Sequence, residues 1–241
     1  VANSTVLEIV QQAFDELGLY PTPQNAVGNA DLLVRQITSL YTAVGQTLVK
    51  RRVWRALLSQ LNFTGVAGQA VYTLPLDYDR PISQTEWDQT NHWPLMGPMT
   101  PQQMQTLQSG IISLGPRIKF RLIGNKLEMF PTPNTGQLFV FNYVSKGWVL
   151  EDNNGAIIRL TKPALDTDVA IFDDRLMIAG VKLRFYQAKG FDTSTYAQDF
   201  QVLLDDAVAQ DSGAQKLNLA QSPSTYLINT TNVPDGNWTA V

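Results

Sequence analysis

Between residues 173 and 189 the chain reads DDRLMIAGVKLRFYQAK, a helix with very little polar surface. Arg175, Lys182 and Lys189 recur every seven residues and confine much of the charge to one narrow stripe, while Leu176, Met177, Val181, Leu183, Phe185 and Tyr186 fill the rest. Such a helix folds only where other protein covers it on several sides. Gly190 ends it, and Thr193 or Ser194 is placed to cap a second arm. In that arm Tyr196, Phe200, Leu203, Leu204, Ala207 and Val208 form a core face, with Asp199 and Asp206 one heptad apart outside it. Residues 167–215 therefore predict a helical hairpin that needs further helices, from the same chain or from neighbouring copies.

Those helices are at the other end of the sequence. Thr5 and Glu8 have capping-box spacing, Val6, Ile9, Val10, Ala13 and Leu17 follow at helical intervals, and Gly18 closes the segment. After the loop LYPTPQNAVGN a long helix is expected over 30–60, with Leu33, Ile37, Leu40, Tyr41, Val44 and Leu48 as its seam, continued by Trp54 and Leu58. Unbroken it would span about 45 Å, with Gly45 its weak point. From Asn62 to Leu165 the periodicity changes. VYTLP (71–75), KFRLIG (119–124), KLEMF (126–130) and QLFVFNYV (137–144) read as strands, and Gly124-Asn125 as a hairpin turn. A short helix over 101–108, capped by Thr100, interrupts them. The expected fold class is α+β. Residues 1–60 and 166–221 form one discontinuous helical domain, a bundle or hairpin layer. Residues 61–165 form an inserted antiparallel, sandwich- or barrel-like β-rich domain, and residues 222–241 an extended C-terminal arm.

Chemistry finds little purchase in this chain. It has no cysteine, which excludes disulfides and thiolate catalysis and fits synthesis in a reducing cytosol. The single histidine, His92, sits between Asn91 and Trp93 in an expected loop. No phosphate-binding glycine loop or nucleophile elbow occurs, so neither enzyme activity nor a cofactor is expected. No apolar run is long enough to span a bilayer, and no secretory leader is expected. Adjacent Asp173 and Asp174 suit a helix start.

The net charge of −3 is unevenly placed. Residues 1–60 carry five Lys/Arg against four Asp/Glu, 61–165 eight against seven, and 166–241 five against ten. A protein that grips phosphates would show a basic excess. The sharpest charge feature is Lys50, Arg51, Arg52 and Arg55. It suits pairing with acidic residues of the C-terminal helices, in the same subunit or the next, contact with a DNA backbone, or simply a solvated helix end. Tyr78, Trp87, Trp93 and Trp148 in the β-region offer a possible sugar-stacking surface or, more ordinarily, core and interface anchors.

The order of parts resembles the head-to-tail adaptor proteins of short-tailed double-stranded DNA phages, the tail tubular protein A type. The likeness is carried by LEIVQQAFDELGL, the helix VRQITSLYTAVGQTLVKRRVWRALL, the β-region with FRLIGNKLEMFPTP, and the hairpin from ALDTDVAIFDDRLMIAGVKLRFYQAKGFD to YAQDFQVLLDDAVAQD. It implies a structural protein of the virion neck, made in the host cytoplasm. Copies would form a ring, a dodecamer, between portal protein and tail nozzle protein, and pass double-stranded DNA without reading its sequence. No catalytic residue carries over. Residues 222–241, with Tyr226, Ile228 and Trp238 as anchors, read as an arm that orders on the portal or an adjoining subunit. The alternative is a glycan-binding or glycan-degrading tail module built on the β-region.

Overall fold

The computed structural model of the chain describes residues 3–110, 115, 117–153 and 156–212. They belong to one compact unit, Val1–Asp211, apart from the last residue of the final helix. The expected arm, with Tyr226, Ile228 and Trp238, lies outside the described residues.

Helix α1 (Val6–Leu17) begins with the expected capping box. The Thr5 hydroxyl accepts from the Glu8 amide at 3.3 Å and the Glu8 carboxylate from the Thr5 amide at 2.8 Å. Gly18 closes it at φ +65°. Helix α2 (Leu32–Arg51) starts on Asp31, whose carboxylate accepts from the Leu33 amide at 2.7 Å. It stops well short of residue 60. Arg52 is extended, and Trp54 folds back so that its indole Nε1 donates to the Leu48 carbonyl at 2.7 Å, satisfying a terminal acceptor. A 3-10 turn (Arg55–Leu57) leads into β1 (Leu58–Thr64), whose exposure alternates residue by residue. Trp54 and Leu58, four apart, imitate a helical seam, yet Trp54 is buried and Leu58 is exposed. Helix α2 runs unbroken through Gly45. A Cβ there would collide with the Trp148 indole, so the glycine permits a close approach.

The middle of the chain holds β2 (Val71–Thr73), β3 (Tyr78–Pro81), β4 (Trp87–Asp88) and β5 (Trp93–Pro94). It continues through helix α3 (Pro101–Gln108), then β6 (Lys119–Ile123), β7 (Lys126–Phe130), β8 (Leu138–Ser145), β9 (Val149–Asn153), β10 (Ala156–Leu160) and β11 (Val169–Ala170). All strand pairings between these elements are antiparallel. One sheet is organised on β8, which pairs with β1, β3 and β4, while β5 extends it through β4. The other two run β2-β7-β6 and β10-β9-β11. Phe139, Phe141 and Tyr143 of β8 meet Phe120, Leu127 and Met129 of β6 and β7 in one apolar core.

The chain then forms α4 (Asp174–Lys189) and α5 (Ser194–Ser212). Asp173 caps α4 by accepting from the Arg175 and Leu176 amides at 2.9 and 3.2 Å, and Gly190 ends it at φ +77°. Helices α1, α2, α4 and α5 share a second core with Trp148 and Val149 of the β-region. Leu176, Met177, Ile178, Val181 and Phe185 are buried there, so much of the apolar surface of α4 is covered within the chain. The N-terminus is stitched to this assembly. Asn3 donates to the Ala170 carbonyl at 2.7 Å, the Ser4 amide to the Asp174 carboxylate at 2.9 Å, and the Val6 amide to the Asp168 carbonyl at 2.8 Å. The fold is α+β, with N- and C-terminal helices packed together around inserted antiparallel sheets.

Candidate interaction surface

The end of α2 meets the end of α5. At this corner Asp211 receives the Arg55 backbone amide on both carboxylate oxygens, at 3.0 and 3.1 Å, and pairs with the Arg52 guanidinium at 3.7 Å. Arg52 also donates to the Val208 carbonyl at 3.3 Å and lies over the Trp54 ring. Arg51 donates to the Gln201 side chain at 3.2 Å. Lys50, Arg51 and Arg55 are exposed, and Arg52 is half-buried. Arg51, Arg52 and Arg55 thus touch α5 of their own chain, which holds no basic residue at all. The acidic excess of the C-terminal segment was a usable signal for that contact, whereas no local pattern marked Asp211 as its anchor.

The aromatic residues are dispersed. Trp148 is fully buried beside Tyr41 and Phe172, its indole donating to the Thr161 carbonyl at 3.0 Å. Tyr78 packs against Tyr143, and its phenol is pushed up to about 12 by burial, with the charges of Glu86 and Asp79 adding to the effect. Only Trp87 and Trp93 of the four are exposed, on adjoining short strands. His92 occupies the turn between them at φ +58°, also exposed. The described residues contain no cluster of three or more His, Cys, Asp or Glu suited to a metal ion, and no helix among them is long and apolar enough to cross a membrane.

Among the described residues, two further ion pairs brace neighbouring elements. Lys182 of α4 reaches Glu16 of α1 at 2.8 Å, and this hydrogen bond holds the Glu16 carboxyl below its ordinary range. Arg121 of β6 holds Glu128 of β7 at 2.7 Å and lowers its carboxyl in the same way. Both join neighbouring elements of one chain. The arrangement supplies packing surfaces and charge pairing.

The family model described as SU10 adaptor protein matches residues 4–225, taking in both helical ends and all the sheets between them. No curated protein gives a significant match.

Proposed function

Since the chain belongs to the SU10 adaptor protein family and is therefore a structural component of a phage virion, we propose that its copies close into a dodecameric ring between portal protein and tail nozzle protein. The ring leaves a channel through which the packaged DNA exits. The observation that carries this reading is the family match across the helices and the sheets together. The charge supports it. With 18 basic and 21 acidic residues the chain has no excess with which to retain phosphates, and a conduit must let DNA slide. Lys50 and Arg51, exposed at the corner of α2 and α5, are the cluster residues best placed for a neighbouring subunit or the channel wall. The helical ends 1–60 and 166–221 act as the subunit body, and residues 61–165 as the domain inserted in it. Residues 222–241 serve as the arm that fixes each copy to the portal, through Tyr226, Ile228 and Trp238.

Electron microscopy and native mass measurement of the purified protein, alone and with portal, test the reading. Many adaptor copies per portal ring are expected. A single adaptor per portal ring overturns it.

A further inference from the structure

A ring of identical subunits needs two different, complementary patches on opposite sides of each copy. We propose that these patches are a basic groove beside the first half of α2 and the outward acidic face of α5. The α5 face of one copy seats in the groove of the next. This assignment rests on the ring reading above and adds the identity of its interface.

The groove, of about 570 Å³, is lined by Arg35, Ser39 and Thr42 of α2, by Ala26, Gly28 and Ala30 of the preceding loop, and by Lys162 from beyond β10. Arg35 and Lys162 are exposed, and neither has an ion-pair partner among the described residues. The nearby Asp166 carboxylate is engaged by the Ala26 and Val27 amides at 2.9 and 2.7 Å. Thr42 turns its hydroxyl hydrogen back to the Thr38 carbonyl at 3.0 Å. Arg35, Lys162 and Ser39 are thus the donors offered outward, and the small loop residues let a helix approach closely.

The occupant is identified by charge, spacing and placement. Val202, Asp205, Asp206 and Ala209 stand at i, i+3, i+4 and i+7 on α5, all exposed, with Val202 55% accessible. Asp205 accepts from Gln201 at 2.8 Å, and neither aspartate has an ion-pair partner among the described residues. This face therefore combines an apolar ridge with two carboxylates. The same chain cannot join the two patches. The α2 side that meets α4 and α5 carries Val44, Thr47 and Arg51, in contact range of Gly180, Phe200 and Gln201. Arg35 is nine positions before Val44, half a turn out of phase at about 100° per residue. Groove and acidic face thus look away from one another across the helical layer, the disposition of a head-to-tail interface.

The absence of cysteine makes a clean test possible. Virions assembled with the full chain carrying Lys162→Cys and Asp206→Cys are treated with a short bis-maleimide, and adaptor copies per particle are counted by mass. A cross-linked ladder that requires both cysteines is expected. Several copies per particle without a ladder overturn this interface and leave the ring standing, whereas one copy per particle overturns both. Independently, Arg35→Glu with Lys162→Glu should lower incorporation about tenfold, and adding Asp205→Lys with Asp206→Lys should restore most of it. If the first pair instead weakens DNA binding and leaves incorporation unchanged, the groove faces DNA and the assignment fails.

Discussion

At the scale of single residues, Gly45 and Trp148 set the distance between α2 and the strand region. Ala would be the better helix former at position 45, but its methyl group would occupy the space of the indole. Gly45→Ala should therefore destabilise the protein by about 1–3 kcal/mol despite the propensity gain, as read by chemical denaturation. In the sequence alone the glycine reads as a weak point in a helix. The reason was spatial: its neighbour lies about a hundred positions away, and no local pattern records that. Titration acts at this scale too. Glu128 is held by Arg121 below its ordinary value of 4.5, so the pair stabilises the fold above that pH and loses its contribution as the pH falls through the lowered folded value. Glu128→Gln should cost about 1 kcal/mol at neutral pH and nothing at pH values where the wild-type carboxyl is protonated, measured as stability against pH. An equal cost across the acid range would mean that packing, not charge, is lost.

At the scale of elements, ends marked by local chemistry were legible. Thr5 with Glu8, Thr100, Asp173, Gly18 and Gly190 each place a helix boundary where the structure has it. The end of α2 was not legible, because no glycine or proline marks it and Trp54 keeps the helical spacing past Arg51. What ends α2 is a tertiary closure, the indole returning to the Leu48 carbonyl. Trp54→Phe keeps most of the apolar area and removes the donor, so it should cost about 1 kcal/mol and fray the last turn of α2. Faster amide exchange at residues 48–52, with the helix start unaffected, is the expected signature. The short strands β4, β5 and β11 were equally hidden, since two residues carry no periodicity and exist only through their partners. The basic corner was visible as a cluster, but its partner Asp211 was not, because the contact spans more than 150 positions.

At the scale of the whole described unit, β8 belongs to both cores. Phe139, Phe141 and Tyr143 enter the core shared with β6 and β7, while Val144 enters the core of the helices. Trp148 and Val149, just beyond it, extend the second contact. The sheets cannot lose their packing without exposing one wall of the helical core. Thermal unfolding of residues 1–212 should accordingly appear as a single transition, with near-ultraviolet and far-ultraviolet signals coincident. Two separated steps would show that the β-region melts on its own. The alternation from helices to strands and back was readable from changing periodicity, whereas a strand serving two cores shows no such sign, since β8 reads only as a run apolar on both faces.

Strand β10 pairs with β9 and, among the described residues, with nothing on its other edge, and there Ile157 is 70% exposed and Ile158 40%. An open edge bearing apolar side chains is a template for any extended segment that drifts past. Encounters between two free molecules grow with the square of their concentration, while a molecule already seated in a particle is held in place and cannot diffuse onto another. The protein therefore keeps best when dilute, and the interval between synthesis and incorporation is the period in which it is most exposed to clumping.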